Sequence, residues 1–293
     1  MTTMTNPGRP RTAPKRRRSK VIRRVVIGLL VLIGLLVAAD FGAAAIAEHE
    51  VSKRARTQFG LDDDPSVTIH GFSFLLQAVS GEYDDVEVKA TGVPVKNALR
   101  DVEVHVDLRG AKAPLGDLLS GDTKGIQVRK ADGQVTVKAS DVTRAISQNE
   151  NEVVKTLTSV SINPVSKKAA TTPNSADDVE DPPGTLKDPT TAGAKICGTA
   201  DIGGTSTNLC VYGLITLANQ KINFQPWWPK VTNGLTSGGL PSALRDRVLA
   251  PFGAISLDPG VLPFKVTPTA VEVKADKLIV SGTAENVQLG GTA

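Results

Sequence analysis

Three histidines, two cysteines and a few clustered carboxylates are the residues of this 293-residue chain whose chemistry could exceed holding a fold. His105 has Glu103 and Asp107 two positions away on either side. Alternate residues of a strand share a face, so the three form a carboxylate–imidazole–carboxylate row that could hold a metal ion. A solvated strand face has the same pattern and is the preferred reading. Glu82, Asp84 and Asp85 could suggest the paired carboxylates of a glycosidase, but they lie in a turn. Cys197 and Cys210 have no histidine near them, so a zinc site lacks its remaining ligands. In an oxidising compartment such an isolated pair is expected to form one disulfide closing a local loop. No G-x-S-x-G elbow, S-x-x-K, H-E-x-x-H or phosphate loop occurs. The chain is therefore expected to be no enzyme, and to hold neither metal nor cofactor.

The elements that position these residues begin with a charge asymmetry. Nine basic residues, from Arg9 to Arg24, precede an apolar run and no acidic residue stands among them. Without those nine, 25 basic residues face 30 acidic ones, so the rest of the chain is mildly acidic. Nucleic-acid binding needs clustered Lys and Arg on the folded part, so no nucleic-acid partner is expected. Val25 to Ala39 is continuously apolar, and the low-polarity stretch continues to Ala47 with Asp40 as its one interruption. Residues 25–47 are long enough to cross a bilayer, with Asp40 near the outer interface. A cleaved signal is the rival, because Ala45-Ile46-Ala47 has the A-x-A form. The 24-residue charged leader is long for a signal and favours an uncleaved anchor. Both readings put a basic cytoplasmic tail at 1–24 and an extracytoplasmic domain at 40–293. The localisation is thus single-pass in the cell membrane, or periplasmic after cleavage.

Beyond the anchor, Ala44, Ala47, Val51, Ala55 and Phe59 recur at helical spacing, and Gly60 ends the helix. From Ser66 the period becomes two, with Val86 and Val88, then Val104 and Val106, then Val135 and Val137. Polar partners alternate with them, as in an antiparallel sheet with one wet face. Asp132-Gly133 is expected to be a hairpin turn, a helix is expected over 142–157, and Ala275-Asp276 is expected to turn between two last strands. Residues 163–195 carry five prolines and almost no large apolar side chain, so they are expected to be a disordered surface insertion. Strand patterns resume at Cys210. Trp227 and Trp228 adjoin in a proline-bounded loop beside Lys230, a candidate membrane contact because indoles favour the bilayer interface.

The segment from Val67 to Ala90 resembles the start of the LmeA-like phospholipid-binding family of actinobacterial envelope proteins. Gly71, Phe72, Phe74, Leu75, Gly81, Tyr83 and Val86 match that family's pattern, while Ser73 stands where it usually has proline. The closing segment from Leu262 through Ala284 resembles the family's C-terminal strand pair. The resemblance implies phospholipid binding in the envelope, with a role in lipid-linked glycan maturation. It also implies an α+β fold similar to tubular lipid-binding proteins, in which a long N-terminal helix lies along a curved antiparallel sheet.

The expected function is non-enzymatic phospholipid binding or transfer. The candidate groove runs between the helix face (Ala44, Ala47, Val51, Ala55, Phe59) and the sheet face (Val86, Val88, Val104, Val106), with Phe72, Phe74 and Leu75 lining or capping it. Partners are then phospholipid and membrane. The alternative is a scaffolding ectodomain that binds an unidentified envelope protein.

Overall fold

The computed structural model describes residues 18–95, 99–120, 122, 125–147, 157–173, 175, 177–181, 188–202, 205–218, 221–232, 242–253, 256–257 and 266–288. Most of the basic leader, the second half of the expected helix 142–157 and residues 182–187 of the expected insertion lie outside these. The fold is α+β, with a long N-terminal helix and two antiparallel sheets.

Helix α1 (Arg18–Phe59) is unbroken through anchor and domain alike. Its alanines, leucines and straight-chain residues suit a helix. It stops at Gly60, which adopts φ +62°, while the Leu61 N–H donates to Arg56 O at 3.0 Å in a Schellman-type closure. Apolar side chains from Val21 to Leu36 are exposed all around it, a pattern suited to lipid. From Asp40 onward one stripe turns inward: Asp40, Ala47 and Ser52 are buried, with Ala43, Ala44 and Val51 partly so. That stripe meets the edge of strand β1 (Ser66–His70), where Ile69 N donates to Glu48 Oε1 at 2.7 Å and Ser52 Oγ donates to Pro65 O.

The first sheet runs β1, β2 (Glu82–Val95), β3 (Leu99–Lys112), β4 (Gln127–Lys138), β11 (Lys277–Gln288), β10 (Thr267–Lys274), with short helices α2 (Phe74–Ser80), α3 (Leu115–Ser120) and α4 (Ala139–Ser147) packed at its ends. The second sheet runs β5 (Thr158–Val165), β6 (Thr191–Ile202), β7 (Thr205–Ala218), β8 (Lys221–Thr232), β9 (Ser256–Leu257). Helices α5 (Lys167–Thr171) and α6 (Ser242–Gly253) pack against it. The two sheets share one apolar core: Val102, Val137, Val273 and Leu278 from the first meet Ile196, Leu209, Val211 and Phe224 from the second. Asp276 ties the sheets together. At φ +57° in the tight β10–β11 turn, its N–H donates to Ile162 O at 2.7 Å and its carboxylate accepts from Ile162 N at 3.2 Å.

Two expectations need correction. Asp132-Gly133 is no hairpin: both residues lie inside β4, where Gly133 pairs with Val106 on one side and Gly282 on the other. The glycine removes a side chain from a continuous strand instead of reversing it. The segment 163–195 is not an excursion from the fold at its ends. Residues 163–165 complete β5, 167–171 form α5 and 191–195 begin β6. Small side chains make this possible, because Ala169 and Ala170 pack where larger ones would not fit. Its aspartates also work locally. Asp188 accepts from Thr190 N (2.9 Å), Thr190 Oγ1 (2.6 Å) and Thr191 Oγ1 (2.7 Å), which sets the start of β6.

Cys197 and Cys210 face each other across β6 and β7 and are bonded, with their Cα atoms 4.0 Å apart. The bond therefore joins paired strands rather than closing an irregular loop. Without reductant, alkylation followed by intact-mass measurement will leave both cysteines unlabelled. The double serine variant will lose about 3 kcal/mol of unfolding free energy, the chain-entropy value for a loop this short.

The hydrogen bonds of Thr190 and Thr191 hold the Asp188 carboxyl at about 2, below its ordinary 3.8. A depressed carboxylate contributes stability that is complete above the unfolded value and lost as pH falls through the folded one. The wild-type melting temperature will therefore drop between pH 4 and 2, and Asp188→Ala will make that drop shallower. An equal slope in thermal melts of both proteins would contradict this. Glu82, Glu87 and Asp177, also depressed, keep the slope from vanishing.

Candidate functional site

The inner face of the first sheet carries two separate apolar cores. One is the core shared with the second sheet. The other gathers Ala47, Phe74, Ala78, Tyr83, Val128 and Ala284 where α1 and α2 meet the sheet. Between the cores the sheet face is covered only in part. Val88, Val106, Gly133 and Gly282 form one cross-strand row, and Ala90, Val104, Val135 and Val280 the next. Of these eight residues six are only half-buried, Gly282 and Val280 being the buried ones.

The floor of this strip is lowest at Gly133. Among the described residues, a Cβ added there would meet only Val106 Cγ2 at 3.9 Å and Gly282 O at 4.0 Å, which is ordinary contact. Gly282 is covered: Val266 Cγ1 would lie 2.6 Å from its added Cβ. The strip is thus a partly covered apolar row, β-branched along its strands and bare backbone at Gly133. It offers no polar chemistry, only surface that loses contact with water when an apolar body covers it.

The expected groove residues distribute unevenly about this strip. Ala44, Ala47, Phe74, Val86 and Val106 come together in or against the α1–α2 core, and Val104 packs against the shared core. Val88 lies between them. Val51 and Ala55 are half-buried on the α1 stripe, while Phe59, Phe72 and Leu75 are exposed. The helix therefore packs against the β1 edge and α2 and does not roof the strip, so a cavity enclosed between Ala47 and the sheet valines is not what forms. Ala47 is itself buried in close packing. A separate surface hollow of about 450 Å³ lies beyond the strip, lined by Val79, Gly81, Glu82, Lys112, Pro114 and Leu115.

The family-like motif builds α2 and its mounting. Gly71 at φ +104° and Gly81 at φ +69° set the two turns, Phe74 and Tyr83 fill the core, and Gln77 bridges His70 O and Asp84 N. Asp40, seen in the sequence only as an interruption of the anchor, holds the other end. Its carboxylate accepts from Ser73 Oγ (2.5 Å), Phe74 N (2.9 Å) and Leu75 N (2.8 Å), capping α2 from another helix. Ser73, at the proline position of the motif, thereby gains a donor that proline lacks. The sequence signal for this was a lone acid in an apolar run, which must find partners when buried.

The outer face of the sheet is polar. His105 Nε2 lies 2.9 Å from Glu87 Oε1 and 3.5 Å from Asp107 Oδ1, and His70 Nε2 lies 3.6 Å from Glu87 Oε2. The expected row is changed: Glu103 instead pairs with Lys138 at 2.9 Å, and Glu87 joins His105 and Asp107 from β2. Glu87, His105 and Asp107 have ligand atoms within 4.8 Å of one another. Lys89 Nζ, at 2.5 Å from Glu87 Oε1, already neutralises the centre of this group. It pulls the Glu87 carboxyl below its usual range, with smaller help from His105.

A family model described as LmeA-like phospholipid-binding matches residues 38–283. The chain belongs to that family. Its matched span starts just before Asp40 and runs nearly to the end of β11, so helix stripe, strip and both sheets all fall within it. No curated protein and no solved structure matches the chain.

The tryptophan pair lies in strand β8 and not in a loop. Trp228 is buried and stacks on Tyr212, ring centroids 3.8 Å apart and planes 7° from parallel, while its Nε1 donates to Ala169 O at 3.3 Å. Burial, and then the hydrogen bond its hydroxyl donates to Asp177, push the Tyr212 pKa up. The prolines flanking the tryptophans are accommodated where the β7–β8 register shifts, at Tyr212/Gly213. Trp228 is thus core, and only Trp227 faces outward. Trp228→Ala will cost about 3–5 kcal/mol in chemical denaturation, the usual range for a buried aromatic. Trp227→Ala will stay within about 1 kcal/mol, since its ring is half exposed.

Proposed function

We propose that this protein binds phospholipid non-enzymatically in the cell envelope, one acyl chain lying along the strip of the first sheet between the two cores. The observation that carries the reading is the half-covered apolar row Val88, Val106, Gly133, in a chain whose family is phospholipid-binding. Each methylene that leaves water contributes about 0.8 kcal/mol, so a chain of ordinary length binds by burial alone. The headgroup stays in water at the end of the strip. This placement needs no roof from α1, unlike the enclosed groove expected from the sequence, and it keeps Val86, Val88, Val104 and Val106 as lipid contacts. A supporting role in lipid-linked glycan maturation is the finer reading that the family resemblance implies. An envelope compartment is supported by the disulfide, which an oxidising surrounding preserves, and by the basic leader before the apolar helix.

Gly133→Leu tests the placement. The new side chain enters open space at an unstrained backbone, so the fold will keep its melting temperature or gain a little, glycine being a poor strand residue. It will exclude about two methylenes from the strip, worth ~1.6 kcal/mol at the value above, and weaken binding roughly tenfold. Native mass spectrometry of the full chain in detergent, titrated with phosphatidylglycerol, measures this directly. Unchanged lipid occupancy in a folded Gly133→Leu protein would remove the strip as the site.

A further inference from the structure

The outward face of α2 has no counterpart in the fold and is the wrong kind of face for water. Phe72, Leu75, Leu76 and Val79 recur at i, i+3, i+4 and i+7, so they make one face of the helix and the turn before it. Phe72, Leu76 and Val79 are 74%, 73% and 88% exposed. The opposite face carries Phe74, Gln77 and Ala78, all buried. Gln77, the one amide in α2, is therefore turned into the protein and satisfied there by His70 O and Asp84 N. A helix on a water-facing surface has its polar side outward. This one has its polar side inward and aliphatic and aromatic groups outward.

What covers the face follows from where it is fixed. The Asp40 carboxylate caps α2 with three hydrogen bonds, so α2 is held beside α1 at the residue where its fully exposed apolar section ends. Continuous apolar sequence from Val25 to Ala39 is 15 residues, about 22 Å of helix. A hydrocarbon core is about 30 Å thick. The remainder must come from beyond Asp40, and α1 supplies it with Phe41 and Ile46, both exposed on the side away from the domain. Val25 to Ile46 is about 33 Å. Asp40 and α2 then lie about 9 Å inside the apolar limit, in the outer part of the acyl layer. The charge is tolerated there because the protein encloses it.

We propose that α2 is a second membrane contact, its Phe72–Leu75–Leu76–Val79 face sunk in the leaflet on the domain's side of the bilayer that α1 crosses. The proposal rests on reading α1 as an anchor. It seats the base of the domain in lipid and places the α1–α2 core, one border of the apolar strip, at the membrane surface.

The experiment uses the full chain in vesicles of phosphatidylcholine and phosphatidylglycerol, with an environment-sensitive fluorophore on one introduced thiol. Because Cys197 and Cys210 are bonded, only the new cysteine reacts without reductant. Val79→Cys reports on α2, Leu32→Cys on the span and Lys53→Cys on the exposed helix beyond it. The expected result is that the Val79 probe behaves like the Leu32 probe: blue-shifted emission, quenching by acyl-chain spin-labelled lipid and loss of quenching by aqueous iodide. The Lys53 probe will show the reverse. A Val79 probe that iodide quenches as fully as the Lys53 probe, with Leu32 still protected, overturns the docking of α2 and leaves the anchor standing. Iodide quenching at Leu32 as well overturns the anchor and the proposal together.

Discussion

The architecture turns on a carboxylate held inside an apolar helix. Asp40 can be buried in α1 only because three donors converge on it, and those donors are the hydroxyl of Ser73 and the first free N–H groups of α2. An unsatisfied carboxylate in that position would be expelled or neutralised, and an uncapped α2 would lose the partners its first turn lacks. Each thus resolves the other's cost. From this one interaction follow the seat of α2 beside the anchor, the burial of Phe74 and Ala78, and the close approach of Ala43, Ala44 and Ala47 that small side chains permit.

Much of this was legible in the residues, and the limits have physical reasons. Period-two patterns marked β1 to β4 and the final strand pair, because a sheet with one wet face writes its alternation directly into the chain. The turn at Ala275-Asp276 was readable for the same reason. Gly133 misled, since a glycine after an aspartate signals a turn locally while cross-strand pairing with Val106 and Gly282 decides otherwise. Residues 163–195 misled by composition. Their large apolar content is low, but sheet edges are ordered by backbone pairing, and β5 with the start of β6 needs few large side chains. Trp227 and Trp228 looked alike in sequence, yet strand alternation sends one ring onto Tyr212 and the other outward. The site was legible in part: the sheet valines could be chosen from their period, but the position of α1 relative to them could not. That position depends on Asp40, Glu48 and Ser52, polar residues whose partners lie 13 to 35 positions away.

The two faces of the first sheet divide the labour. The outer face ties its charges to one another, as in the His70, Glu87, His105 and Asp107 group with Lys89 and in the Lys138 pairs with Asp101 and Glu103. The inner face differs, because its cores stand apart and the strip between them stays half-covered. A close-packed interior ordinarily has few such gaps, and leaving apolar surface exposed forgoes stabilisation that larger side chains at Gly133 would recover.

The same helix bears on whether the apolar leader is removed. Cleavage after Ala47 would cut α1 inside a continuous helix and take away Asp40, Ala43, Ala44 and Ala47 together. The domain would lose the cap of α2 and one wall of the α1–α2 core. The family span begins at residue 38, ahead of that cut, as it must if Asp40 belongs to the domain and not to a disposable leader. The inward positions of that stripe, Ala43, Ala44 and Ala47, are small because alanine allows a helix to lie this close to its neighbours, while Ala45 and Ile46 face outward. The packing therefore accounts for Ala47 as a buried residue of a continuous helix.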